Sequence, residues 1–331
     1  MAVENPLTLS VVIPLFNKVD HVRQAIQSVL AQSHRPEEIL VIDDGSTDGS
    51  DRIVQEYAPK VSLIRRPHQG VSAARNFGIE IAKGDAIAFL DADDFWKPHF
   101  LERITALLER FPTACASASA YEWITKPGQI SQFSFAGIPR HPWQGIIDYF
   151  ACIVAKKGAP PLHASGVIAR RDVLKQIGGF PLGVRWGEDH DTWARLALAG
   201  DIAFTSDILF TVNVIAANRA SDSQSPRPLL PAAATIAGAL TTANDEKRRE
   251  HLRKYLKKLL INSAMTNLRY GHSSLARSQL NRYRRFTGLG PRWLALMFCS
   301  FLPQLVVRML RLLRKVVTRW AEGALRAQLR C

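Results

Sequence analysis

Up to Leu90 the chain alternates two kinds of hydrophobic pattern. SVVIPLF (10–16) is a continuous β-branched, apolar run of strand length, and Val22, Ile26, Val29 and Leu30 then recur at helical spacing. EILVID (38–43) predicts a second strand, and the turn and cap residues of DGSTDGS lead into a short helix through Ile53, Val54 and Tyr57. VSLIRR (61–66) predicts a third strand, VSAARNFGIEIA (71–82) a helix closed by Gly84, and AIAFL (86–90) a fourth strand. Strands and helices alternating at this pitch predict βαβ units. The expected fold is α/β and Rossmann-like, a mostly parallel central sheet with helices on both faces. Ligands bind beyond the carboxyl ends of such strands. That places Pro14–Asn17, Asp43–Asp48 and Asp91–Asp94 along one rim.

A further helix is predicted from Phe100 to about Phe111, then a looser stretch to Trp143 rich in Ser, Ala and Gly. HASGVIAR (163–170) reads as a strand, RDVLKQIGG as a helix stopped by glycine, and GEDHDTWARLALAG (187–200) as a helix. AFTSDILFTVNV (203–214) reads as one or two closing strands. RASDSQSPRPLLP has linker composition. The expected organisation is an α/β domain over 1–218, a linker over 219–231 and a helical, basic region over 232–331.

Composition changes this picture only in the last quarter. The 331 residues are 47% hydrophobic and 22% charged, as in ordinary globular proteins. Cys115, Cys152, Cys299 and Cys331 form no C-x-x-C pair, which speaks against a zinc site or a disulfide framework and suits a reducing compartment. MAVENPLTLSVVIPLF has no basic n-region, so no signal peptide is expected. The net charge of +14 is uneven: residues 1–244 carry a net −2, and residues 245–331, with 20 Lys+Arg against 4 Asp+Glu, carry +16. This reads as an anionic-surface contact added to a near-neutral domain. Nucleic acid is disfavoured, because the tail lacks a basic patch interleaved with aromatic residues.

The tail itself has two amphipathic stretches. Leu252, Tyr255, Leu256, Leu259 and Leu260 predict a helix that packs one face on the domain and leaves a basic face in water. Over 305–320, Arg308, Arg311, Lys315, Thr318 and Arg319 fall on one side of a helix. Val306, Met309, Leu310, Leu313, Val316, Val317 and Trp320 fall on the other, the pattern of a helix lying in a membrane interface or docked on a partner subunit. The intervening LALMFCSFLPQLVV is short for a span and interrupted by Pro303.

Three acidic motifs carry the chemistry. VIDDGSTDGS sets two acids at a strand end before a helix, where Asp44 either caps or accepts hydrogen bonds from a base or ribose. There is no G-x-G-x-x-G after a strand and no G-x-x-x-x-G-K-[ST], so dinucleotide and P-loop sites are disfavoured. FLDADDFW places Asp91, Asp93 and Asp94 between bulky residues that favour burial. Carboxylates clustered in a partly dry site need a cation, and hard oxygen ligands suit Mg²⁺ or Mn²⁺. Asp94 is either a further ligand or a cap. GEDHDTW groups Glu188, Asp189 and Asp191 at a helix start. Capping accounts for one of them, a general base toward a hydroxyl would account for another, and Trp186 and Trp193 have faces suited to a sugar ring. His190 has no second histidine at ligand spacing. Arg75, among small residues, is either a surface arginine or a guanidinium held at the rim.

Together VVIPLFN, VIDDGSTDGS, GVSAARNFGIEIAKGD, FLDADD and SGVIARRDVLKQIGGF leading to GEDHDTWARLALAG resemble a family 2 glycosyltransferase of the GT-A fold. This is the inverting group that builds bacterial polysaccharides and lipopolysaccharide. The resemblance implies that Pro14, Leu15 and Phe16 with Asp44 hold the nucleotide base and that Arg75 lies near the donor. It implies that Asp91 and Asp93 form the D-x-D reaching ribose and metal–diphosphate, with Asp93 and Asp94 toward Mn²⁺ or Mg²⁺. Asp189, beside Glu188, would be the base, with Trp186, Asp191 and Trp193 on the acceptor side. The expected partners are a nucleotide-sugar donor, UDP-linked, a glycan or lipid-linked acceptor, and an anionic membrane surface. The expected place is the cytoplasm, peripheral on the inner face of the cytoplasmic membrane. Residues 121–162 match only loosely, and no Q-x-x-R-W run of a processive synthase is present. Two other readings stand beside this one: a sugar nucleotidylyltransferase, which would need a Gly-rich basic loop where PLFNKVDHV stands, and an inactive glycan-binding relative, which would have lost an acid from FLDADD or GEDHD.

Overall fold

The computed structural model describes residues 6–155, 158–216 and 228–302. Its first strands and helices fall where the hydrophobic pattern puts them: β1 (Leu9–Leu15), α1 (Val22–Leu30), β2 (Glu38–Asp43), α2 (Ser50–Gln55), β3 (Ser62–Arg65), α3 (Val71–Ile81) and β4 (Ala86–Phe89). These four strands are parallel, in the order β3-β2-β1-β4. Alternation within each strand divides its side chains between two layers. Val11, Ile13, Ile39, Val41, Ala86 and Ala88 face the layer under α1 and α4 (Phe100–Arg110), whereas Val12, Leu40, Ile42, Ile87 and Phe89 face the layer of α3. Burial on both faces explains why β1, β2 and β4 read as unbroken apolar runs, whereas β3 at the sheet edge is partly exposed.

Beyond β4 the sheet continues through β9 (Val167–Arg170), β6 (Ala114–Lys126) and β10 (Asp201–Asn213). Strand β9 is antiparallel to both its neighbours, and β6 and β10 are parallel. Short strands β5 (Phe95–Trp96), β7 (Gln129–Gln132) and β8 (Gln144–Ile147) pair antiparallel at the margins. The stretch expected to be loose thus contains a long interior strand. ACASASA has weak strand propensity, but β6 is covered on its two faces by α4 and by α7 (Glu188–Ala199), which favours small side chains. Its buried hydroxyl at Ser117 donates to the Ile104 carbonyl, 2.9 Å. The 203–214 stretch is one strand, bent by bulges between Thr205 and Phe210.

After α5 (Tyr149–Val154) and α6 (Arg171–Gln176), the chain beyond the linker forms α8 (Ala232–Thr242), α9 (Glu246–Arg269), α10 (Ser273–Arg282), α11 (Arg284–Thr287) and α12 (Pro291–Cys299). Leu252, Tyr255, Leu256, Leu259 and Leu260 are buried in the same core layer as Phe89, Phe180 and Trp193. The start of α9 is capped by Asp245, which accepts from the Arg248 N–H at 2.7 Å. Of the expected linker, 219–227 lies outside the described residues, as does the amphipathic stretch 305–320. Among the described residues no helix is long and apolar enough to cross a membrane.

Candidate active site

Three loops meet at the carboxyl ends of β1, β2 and β4. In β1 the side chains of Pro14 and Leu15 are buried, and Phe16 is the first to emerge, 41% exposed. Its ring stacks on His68 with centroids 4.2 Å apart. Asp44 fixes that partner: its carboxylate accepts from the backbone N–H groups of Gln69 and Gly70, both at 2.8 Å, and lies 2.8 Å from His68 Nδ1. Gly45, at φ +84°, lets the turn pass His68, whose N would lie 3.2 Å from an added Cβ. Asp44 therefore builds the loop that carries His68, and Phe16 with His68 presents an aromatic platform at the rim.

The FLDADD turn has a distinct place for each acid. Asp91 accepts from Arg75 Nη2 at 2.7 Å. Asp93 pairs with Lys18 Nζ at 2.7 Å. Asp94 is buried, accepting from Ser165 Oγ at 2.5 Å and from the Asn213 N–H at 2.9 Å. Ser165 Oγ also accepts from the Asp91 N–H, so one hydroxyl ties two acids of the turn. Ligand atoms of Asp91, Asp94 and His163 lie within 4.8 Å of one another. Burial, then the charges of Asp93 and Asp91, push the Asp94 carboxyl well above the usual range. Burial lowers His163, favouring the neutral imidazole that a metal requires. Two carboxylates and one imidazole form a donor set that could hold a divalent cation.

Arg75 joins this turn to the second acidic motif. It lies on α3 among Ala73 and Ala74, with only 4% of its side chain exposed. Nη1 donates to Glu188 Oε1 at 2.9 Å while Nη2 holds Asp91, and the guanidinium lies 5.0 Å from the Phe180 ring. Burial pushes Asp91 upward, but the charge and hydrogen bond of Arg75, with His163 and Lys18 adding, together outweigh it and hold the carboxyl below the usual range. Burial wins at Glu188, which is raised despite Arg75.

Asp189, at the N-terminus of α7, forms no ion pair with any described residue; its Oδ1 accepts from the His190 N–H at 2.7 Å. Burial raises the phenols of Tyr121, Tyr149 and Tyr255, and the charge of Asp189 adds to each. Two residues expected on the acceptor side sit elsewhere. Asp191 is buried and engaged on both oxygens, by Arg195 Nε at 2.8 Å and Thr235 Oγ1 at 2.6 Å, so it ties α7 to α8. Trp193 is 1% exposed and packs edge-on against Phe180, so its faces are unavailable to a sugar. Trp186 is half-buried near His190, with ring centroids 6.4 Å apart. Sequence reasoning missed Lys18, His68, His163 and Ser165. For Lys18 a signal existed, since it directly follows the rim stretch; the others reach the site only through tertiary contacts.

Residues 10–178, just over half of the chain, match the family described as "Glycosyl transferase family 2". The chain belongs to this family. Curated relatives of this family 2 chain include the uncharacterized glycosyltransferase alr2836 of Nostoc sp., 37% identical over 192 residues, covering 54% of this chain and 56% of the relative. The putative teichuronic acid biosynthesis glycosyltransferase TuaG of Bacillus subtilis is 36% identical over 126 residues, covering 36% and 49%. The family 2 chain thus spans about half the length of these relatives. Among solved structures, S. aureus TarS 1-349 in complex with UDP-GlcNAc superposes with a TM-score of 0.67 at 18% identity, covering 88% of this chain and 84% of that one. Mannosyltransferase PcManGT from Pyrobaculum calidifontis, in complex with GDP-Man and Mn²⁺, gives 0.55 at 17%, covering 88% and 79%. The likeness to these solved structures shows the GT-A fold.

Proposed function

We propose that this chain transfers a single sugar from a nucleoside diphosphate donor, UDP-linked, to a hydroxyl of a glycan or lipid-linked acceptor, with inversion at the anomeric carbon. The observation that carries this reading is the Arg75 bridge. One buried guanidinium holds Asp91 and Glu188, so two acidic motifs about a hundred residues apart share one site. The Phe16–His68 platform offers its face to the base of the donor. Asp189 accepts the proton of the acceptor hydroxyl, whose oxygen bonds to the anomeric carbon as the bond to the nucleoside diphosphate breaks on the opposite side. Asp91, Asp94 and His163 would hold Mn²⁺ or Mg²⁺, with Asp93 beside them in the same turn. Such an ion, when bound, neutralises charge on the departing diphosphate. Lys18 adds a positive charge at the same turn.

The acceptor reading places the enzyme on the inner face of the cytoplasmic membrane, held by the basic C-terminal region. Its support is the +16 net charge of residues 245–331. The test is a panel of UDP-, GDP- and CMP-sugars scored by metal-dependent thermal stabilisation. A ligand at a hundred times its Kd adds about 2.7 kcal/mol of stability. Asp94→Asn is expected to remove most of the metal-dependent part, because Asp94 is one of the three groups that would hold the ion. Asp189→Asn is expected to keep it while lowering transfer about 10²–10⁴-fold. Equal loss of donor stabilisation in both variants would contradict Asp189 as the base.

A further inference from the structure

Helix α12 is apolar on two opposite sides, and among the described residues only one of them is packed. On the inner side Trp293 packs with Ala264, Leu268, Ala276 and Leu280, its Nε1 donating to the Leu280 carbonyl at 3.1 Å, and Leu296 and Met297 close the same small core. On the outer side Leu294, Phe298 and, in the following turn, Phe301 succeed one another at i, i+4 and i+7 with exposures of 53%, 66% and 69%. Leu289 precedes them, 57% exposed. Single exposed apolar residues are ordinary; a contiguous group on one helix face marks an interaction site.

The charge around this face says what covers it. From His251 to Leu302 there are ten Lys+Arg and no Asp or Glu. Arg282, Arg284 and Arg285 are exposed in the chain leading into α12, Arg292 is exposed in its first turn, and the Arg277 guanidinium lies 4.5 Å from the Phe301 ring. Two copies meeting here would bring like charges together with no acid to separate them. An anionic bilayer offers the matching order: acyl chains for the leucine and phenylalanines, and a plane of phosphates just above them for the arginines.

We propose that α12 is the membrane-insertion face of this chain, with Leu294, Phe298 and Phe301 entering the interface of an anionic bilayer and the neighbouring arginines binding lipid phosphates. This rests on the membrane placement proposed above and assigns it to particular side chains. The face is built by α12 itself and so differs from the amphipathic stretch 305–320 expected from sequence.

The test is co-sedimentation of the full chain with vesicles of phosphatidylcholine containing about one-third phosphatidylglycerol, against phosphatidylcholine alone. Leu294→Ser/Phe298→Ser/Phe301→Ser is expected to lower the partition coefficient at least about a hundredfold, roughly a factor of ten per inserted side chain with allowance for incomplete burial. Its melting temperature is expected to match the parent, because the replaced side chains are exposed. Arg284→Gln/Arg285→Gln/Arg292→Gln is expected to remove most of the preference for phosphatidylglycerol. If the parent ignores both vesicle types, the membrane placement itself fails and this inference with it. If the parent binds and the triple serine variant binds equally well, the placement stands and the assignment to α12 is overturned. Unchanged vesicle binding with a lowered melting temperature, or with a dimer turned monomer, overturns it in favour of a segment of this chain or a second copy as the cover.

Discussion

Replacing Arg75 by alanine tests the construction of the site most directly. The side chain is 4% exposed, and its partners Asp91 and Glu188 are 27% and 12% exposed, so solvent screens the pairs little. Arg75→Ala leaves two partly buried carboxylates facing each other without a cation. Removing one partner of a buried ionic group costs about 3–5 kcal/mol, which at about 2–4 °C per kcal/mol lowers the melting temperature by roughly 6–20 °C. The cost depends on pH. Without Arg75, the folded-state pKa values of Asp91 and Glu188 stand above their unfolded values. Such groups contribute stability below the unfolded pKa and lose it as pH rises through the folded pKa. In the parent, Asp91 is held low by Arg75 and behaves oppositely, losing stability as pH falls. The gap between parent and variant is therefore widest near pH 8 and narrows toward pH 4–5. The assay is thermal or urea unfolding of both proteins across that range. Adding Glu188→Gln to Arg75→Ala is expected to restore about 1–2 kcal/mol at pH 8 by removing one uncompensated charge. A loss below about 1 kcal/mol, equal at both ends of the range, would refute the bridge as the element that holds the two motifs together.

Two further predictions follow from burial. Asp94 is raised chiefly by burial, with Asp93 and Asp91 adding, so in metal-free protein its stability contribution is present at low pH and lost as pH rises through its folded value; Asp94→Asn is expected to stabilise the metal-free protein near pH 8 and to weaken Mn²⁺ binding, both measurable by calorimetry. Trp193→Ala is expected to cost about 3–5 kcal/mol as a core cavity, whereas Trp193→Phe keeps the KM for acceptor; a raised acceptor KM with unchanged stability would return Trp193 to the acceptor side.

The order of elements and the ingredients of the site were legible along the chain because both rest on local periodicity. A strand buried on two faces reads as an apolar run, and its end is marked where acids begin, as at Leu90–Asp91. The helical phase of α7 also carried the answer for Trp193, since Leu196 and Ala197 follow it at core spacing. The Ala/Ser run of β6 misled because its place in the sheet comes from the helices that cover it, not from its own propensity.

From sequence alone came the α/β alternation, the three acidic motifs with two of them on one rim, and the basic last quarter. Only the tertiary structure decided which polar groups meet: Arg75 with residues 16 and 113 positions away, Lys18 with Asp93, His163 with Asp91 and Asp94, and Asp44 with the 68–70 loop. The physical reason is range. Periodicities of two and 3.6 residues act between neighbours on one element, whereas an ion pair in a dry site is selected by a sheet order and helix packing that no single segment encodes.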